Sequence, residues 1–129
     1  MGIYDALRRI NKPAMATKGI YGEQLAVVYL QEKQHTILHT NLRIGRREVD
    51  IVSLEDSLLI FTEVKTRTSF DFGYPETAVT PQKQEHIKSV AAAYLLDHPE
   101  YEQIRFDVIS ILLQNGKAVE YHHIEGAFY

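Results

Sequence analysis

The spacing of apolar residues along this chain switches between two periods, near 3.6 and near 2, and the switches mark its elements. Over residues 18–33 the period is helical: Ile20, Val27 and Leu30 share one stripe, which Leu25, Val28 and Tyr29 widen. Residues 36–43 read as a first strand, and Gly45 among Arg43, Arg46 and Arg47 marks a turn. The runs 48–52 and 59–65 are rich in β-branched and aromatic residues, and Leu54-Glu55-Asp56-Ser57 joins them as a hairpin. Thr80-Pro81 is a helix start, with threonine as cap and proline suited to the first turn. That helix continues through Ile87, Val90, Ala91, Tyr94 and Leu95 until Asp97-His98-Pro99 stops it. Residues 103–113 form another strand, Asn115-Gly116 a hairpin turn, and 118–124 the partner strand.

Two stretches stand outside this rhythm. Residues 1–16 combine a short helix over 3–10 with Asn11-Lys12-Pro13, which breaks it, and read as a flexible arm or partner-binding appendage. Phe70-Asp71-Phe72-Gly73-Tyr74-Pro75 is aromatic and turn-forming. It suits either a plug at the edge of the core or a stacking surface for nucleic-acid bases.

Composition narrows the class. Charged residues make up 24% and hydrophobic residues 45% of 129 positions, as in an ordinary globular protein, so residues 17–129 are expected to form a single domain. The absence of cysteine excludes disulfides, thiolate zinc sites and cysteine nucleophiles. Neither a signal peptide nor an apolar run long enough to span a membrane is visible, so a cytoplasmic protein without a membrane partner is expected. A net charge of -3 argues against coating nucleic acid by positive field alone, but leaves room for a local basic surface.

Candidate chemistry concentrates on the two central strands. Side chains alternate along a strand, so Glu48 shares a face with Asp50, and Glu63 shares one with Lys65. Adjacent strands bring Asp50, Glu63 and Lys65 together. Carboxylates on an otherwise apolar β segment repel one another unless a cation or a proton is shared among them. Hard oxygen ligands of this kind suit Mg²⁺ or Mn²⁺. Such an ion lowers the pKa of a bound water, while Lys65 would orient that water or neutralise charge developing on a phosphate. Glu23 lies on the apolar stripe of the first helix and is aimed at the sheet, where it could join the metal shell; the alternative is a solvated acid complementing the helix dipole.

Cations surround these acids in the sequence. Arg43, Arg46 and Arg47 at the hairpin tip either touch phosphates or form a solvated loop, and Arg67 lies just beyond Lys65. Lys83 falls in the first turn of its helix on the buried side, where the dipole disfavours a cation, so an anion is expected nearby and Lys83, like Arg67, is counted among the expected nucleic-acid contacts; otherwise its stem packs and its head snorkels. His122 and His123 point to opposite faces of a strand and cannot hold one ion together.

Asp50 with Glu63-Val64-Lys65 resembles the acidic core of the PD-(D/E)XK nuclease superfamily, which includes restriction endonucleases and Holliday junction resolvases. The chain is closer still to the YraN-like family of predicted bacterial endonucleases. Lys18-Gly19, Gly22-Glu23, Asn41 and Arg43, Glu48-Val49-Asp50, Phe61, Glu63-Val64-Lys65, Arg67, Phe72-Gly73 and Arg105-Phe106-Asp107-Val108 carry that likeness. Val49 stands where the superfamily has proline, and Arg47 where YraN-like sequences usually have glycine. The resemblance implies an α/β fold with a restriction-endonuclease-like αβββαβ core, a mixed central sheet flanked by helices, and a site of Glu23, Asp50, Glu63 and Lys65.

The expected function is therefore metal-dependent endonucleolytic hydrolysis of DNA phosphodiester bonds, with branched or junction DNA suggested by the resolvase analogy. Junction cleavage would call for a two-fold homodimer. The alternative is a non-catalytic nucleic-acid-binding or protein-interaction module of DNA processing with the same fold. Lys65 favours the enzyme, since ion binding alone gains nothing from a neighbouring cation.

Overall fold

The structure, a computed structural model, describes residues 18–68 and 79–129. The arm expected over 1–16 and the aromatic segment 70–75 lie outside the described residues. The elements are α1 (Lys18–Glu32), β1 (Thr36–Ile44), β2 (Arg47–Glu55), β3 (Leu58–Arg67), α2 (Pro81–Asp97), β4 (Gln103–Gln114) and β5 (Lys117–Phe128). The strands form one sheet in the order β1-β2-β3-β4-β5. Only β3 and β4 run parallel, joined through α2 as a crossover; the other pairs are antiparallel. This is the expected α/β architecture, an αβββαβ series with β5 added at the edge, and it is compatible with a restriction-endonuclease-like core. No helix among the described residues is long and apolar enough to cross a membrane.

Turn chemistry sets the hairpins. Asn115 and Gly116 have φ of 54° and 75°, and a two-residue turn with both values positive matches the right-handed twist of the strands it joins. The β2–β3 turn is shorter than the expected 54–57 loop. Leu54 pairs with Leu59 and Glu55 with Leu58, which leaves Asp56, at φ 53°, and Ser57 as the turn. Both edge strands carry register shifts, between Ile37 and His39 in β1 and at two places along the β4–β5 pair. Bulges of this kind twist an edge and discourage pairing with another sheet.

Each helix covers one face. Under α2, Ile87, Val90, Ala91 and Tyr94 pack with Val52, Leu59, Phe61, Phe106, Val108 and Phe128. These are the α2 positions that the helical period marks. Thr80 caps the helix by accepting the Lys83 N–H at 3.2 Å, and Pro81 follows in the first turn. Under α1, Leu25, Ala26 and Leu30 pack with Ile51, Val64, Ile109, Ile111 and Leu113.

The buried stripe of α1 differs from the expected one. Ile20 is 59% exposed, and the face against the sheet runs through Gly22, Leu25, Ala26 and Leu30. The apolar pattern misses this row because it begins at a residue without a side chain. At Gly22 a Cβ would lie 2.2 Å from Thr66 Cγ2, so helix and β3 touch almost backbone to side chain. Gly22→Ala is therefore expected to destabilise the fold by about 1–3 kcal/mol through overpacking. Thr66→Ser removes the clashing methyl, and urea titration of the double variant should recover most of the loss; an unchanged loss would place the cause elsewhere.

Candidate metal and phosphate site

The ladder between β2 and β3 ends at the pair Ile51–Thr62. Continued by one residue, it would set Asp50 opposite Glu63. Instead Asp50 Oδ2 accepts the backbone N–H of Val64 at 2.8 Å. The side-chain alternation of β2 breaks at the same place: Val49 is buried with the α2 cluster and Ile51 with the α1 cluster, although residues two apart on a strand normally share a face. Asn41, on the neighbouring strand, has φ of 54°. The sheet thus opens at Asp50, and its carboxylate occupies the gap.

That opening lets acids from both faces approach one carboxylate. Glu23 comes from α1, one residue round from the buried row. Glu63 comes from the α2 face of β3, on the side of Leu59 and Phe61. Carboxylate oxygens of Glu23, Glu48 and Asp50 all lie within 4.8 Å of one another. Glu63 stands on the other flank of Asp50, its side chain only 4% exposed. Its Oε2 is buried with no hydrogen-bond partner among the described residues.

Electrostatics record the crowding. Burial first, and the Asp50 charge second, push the Glu63 carboxyl up to about 7 against the pull of Lys83 and Lys65. The same two causes push Glu23 up to about 7, opposed by a hydrogen bond from Asn41. Protons shared among neighbouring carboxylates are what an oxygen-ligated cation would replace.

The cations take up different positions. Lys83 Nζ lies 3.6 Å and Lys65 Nζ 4.0 Å from Glu63 Oε1. The anion expected beside Lys83 is therefore Glu63. Arg43 pairs with Glu48 at 3.2 Å, and Arg47 donates to Ser89 Oγ at 2.9 Å, which ties the β1–β2 tip to α2. Arg46 is exposed at that tip, and Arg67 is half-buried at the end of β3.

Sequence reasoning placed Glu48 on the face of Asp50 without assigning it a part; the alternation itself was the available signal. Asn41 was marked only by the family likeness, because its approach to Glu23 depends on how α1 lies over β1. The histidine pair divides as expected. His122 is exposed, whereas the His123 ring donates to Asp107 Oδ2 at 2.8 Å in a separate buried network.

Raised carboxyl values fix the sign of a pH effect. A carboxylate whose folded pKa exceeds its unfolded value stabilises the fold below the unfolded pKa, and that contribution is lost as pH rises through the folded value. Between about pH 4.5 and 7 the metal-free protein should therefore lose stability as pH rises, on account of Glu23 and Glu63. Urea midpoints measured in chelator across that window should fall, and Glu63→Gln should flatten the trend. A midpoint that rises with pH and ignores this substitution would contradict the assignment.

Comparison with known proteins places the chain. A model of the uncharacterised protein family UPF0102 matches residues 22–111. A UPF0102 protein of Syntrophomonas wolfei is 44% identical over 111 residues, covering 85% of this chain and 96% of that protein. One of Chlorobium phaeobacteroides is 46% identical over 116 residues, 85% and 92% of the two chains. One of Dictyoglomus thermophilum is 39% identical over 112 residues, 85% and 95%.

Proposed function

The chain belongs to UPF0102, an uncharacterised protein family, which is the family its YraN-like motifs indicated, and from that premise we propose that it is a metal-dependent endonuclease hydrolysing DNA phosphodiester bonds. One observation carries the reading: Glu23, Glu48 and Asp50 gather at an opening of the sheet, and Glu63, which feels the Asp50 charge, is faced by Lys65 and Lys83. Carboxylates alone would suit a structural ion, and lysines alone a bound anion. A phosphate ester beside a divalent cation needs both.

The residues fit Mg²⁺ or Mn²⁺. All the donors are hard oxygens, Glu63 keeps a buried oxygen without a partner among the described residues, and burial with the Asp50 charge pushes the Glu23 and Glu63 carboxyls up, a crowding that a divalent cation would relieve. Asp50 and Glu63 would hold the ion, joined by Glu23 and by Glu48. When bound, it supplies a water of lowered pKa and charge stabilisation at the phosphate.

The chain's own groups supply the rest. Val64 N–H fixes the Asp50 carboxylate, so that ligand is oriented before anything binds. Lys65, on the same strand as Glu63, would offset charge developing on the phosphate oxygens. Arg46 at the hairpin tip and Arg67 at the end of β3 would take flanking phosphates, and Arg43 could do so on leaving Glu48. Arg47 serves first to hold the tip against α2 through Ser89.

The test is cleavage of labelled duplex, single strand, flap and four-way junction with Mg²⁺ or Mn²⁺, comparing the wild type with Lys65→Ala. Metal-dependent cutting lost in the variant supports the reading, and the preferred substrate decides whether branched DNA is the target. Symmetric cuts in a junction would further call for two copies of the chain. Binding that falls steeply with salt, with no cutting and no response to Lys65→Ala, would favour the non-catalytic module.

A further inference from the structure

Two ammonium groups converge on one oxygen of a single buried carboxylate. Lys83 Nζ and Lys65 Nζ lie 3.6 Å and 4.0 Å from Glu63 Oε1, and their side chains are 38% and 41% exposed. Each ammonium therefore keeps donors directed at solvent, beyond the one that faces Glu63.

Lys83 is also held in an unfavourable place. It sits in the first turn of α2, where the helix dipole opposes a positive charge. Its backbone cannot drift away, because Thr80 Oγ1 accepts its N–H and Gln84 Nε2 donates to the Val79 carbonyl, pinning the turn from both sides. Among the described residues Glu63 is the one carboxylate within 4.0 Å of either ammonium, a single negative charge against two lysines and a helix N-terminus. A second anion between the ammoniums would relieve their mutual repulsion and meet the unfavourable dipole as well.

The position of that seat decides which anion. Glu63, which would hold a divalent cation together with Asp50, is also the carboxylate that both ammoniums face. A phosphodiester has two non-bridging oxygens, one for the cation and one for the ammoniums. Building on the endonuclease reading, we propose that Lys83 grips the reacting phosphodiester itself, as a second cation beside Lys65, rather than a phosphate further along the strand. Lys65 approaches from the sheet and Lys83 from the helix, so the phosphate is clamped between two elements that the core holds together.

A charge-deletion scan on the DNA tests this. Oligonucleotides carrying one neutral methylphosphonate, shifted one linkage at a time, are titrated in chelator against wild type, Lys83→Met and Lys83→Arg, with thermal melting to confirm the fold of each. At one linkage the methylphosphonate should weaken wild-type binding about tenfold and Lys83→Met should feel no further loss, whereas Lys83→Arg should keep the wild-type response. The logarithmic salt slope of Lys83→Met should drop by about 0.9. If every linkage costs Lys83→Met as much as wild type, the contact does not exist and the proposal is overturned.

Cleavage of the unmodified DNA with Mg²⁺ then locates the cut. A cut at the coupled linkage supports the proposal, and a cut at a different one overturns it by making Lys83 a flanking contact. Position-specific coupling with no cutting by wild type would overturn the endonuclease reading and the word "reacting" with it, while leaving the Lys83–phosphate contact standing.

Discussion

On the proposed endonuclease function, Asp50→Asn is expected to lower metal-dependent cleavage by on the order of a thousandfold or more, the scale on which loss of one directed electrostatic contact acts when a metal depends on it. The substitution is chosen because it spares the fold. Asp50 Oδ2 accepts the Val64 N–H at 2.8 Å, and the amide oxygen of asparagine can accept the same bond. Alanine would instead leave that N–H without a partner and mix a structural loss with a chemical one. Two further readouts do not depend on turnover. Mn²⁺ affinity, followed by calorimetry, should fall sharply. The Glu23 and Glu63 carboxyls, both raised in part by the Asp50 charge, should move back toward the ordinary carboxylate range in a carbon NMR titration. Near-wild-type cleavage in this variant would remove Asp50 from the centre of the site.

The largest stability effect is expected far from those acids. Asp107 is fully buried and accepts from Arg105 Nε at 2.7 Å, Arg105 Nη2 at 2.9 Å, His123 Nε2 at 2.8 Å and the Gly126 N–H at 3.1 Å. Burial alone would raise its carboxyl; the bonds from His123, Arg105 and Gly126 outweigh that and hold it at about 2. Asp107→Ala removes the acceptor for all of them and leaves Arg105 facing, among the described residues, only Glu55 at 3.9 Å and Glu125 at 3.4 Å. The expected loss is roughly 3–5 kcal/mol, read from urea unfolding at neutral pH. Because the folded value lies below the ordinary one, this contribution is present above about pH 3.8 and disappears as pH falls toward 2. The wild-type and variant curves should therefore converge in strong acid, and a constant gap down to pH 2 would contradict the account.

Particular residues show where reading the sequence stops. The α2 face could be read because Ile87, Val90, Ala91 and Tyr94 keep the helical period and nothing competes with it. The α1 face was read one step off, because its closest contact with the sheet is made by Gly22, which no hydrophobic pattern can mark. Lys83 was expected to have an anion near it from dipole physics alone, yet its identity as Glu63 depends on how α2 crosses back over β3. His123 reads from the sequence as facing away from His122, and does so, but Asp107, sixteen residues away along the chain, could not be inferred as its partner. That pairing follows from a register shift between β4 and β5, which turn chemistry alone does not dictate.

The sequence by itself determined the elements, their order and the residue types of the site. Those properties follow from local rules: side-chain periods of 2 and 3.6, the positive φ that Asn115-Gly116 accepts, and the cap and first-turn preferences of Thr80 and Pro81. It also marked Asp50, Glu63 and Lys65 as neighbours, since adjacent antiparallel strands allow little else. Only the tertiary structure decided that the sheet opens at Asp50, that Glu48 joins Glu23 there, and that Glu63 and two lysines stand on the opposite flank. Such arrangements rest on packing between elements distant in sequence. A displacement of one residue along β2 would turn Glu48 and Asp50 to the other face, and one along β3 would turn Glu63 and Lys65.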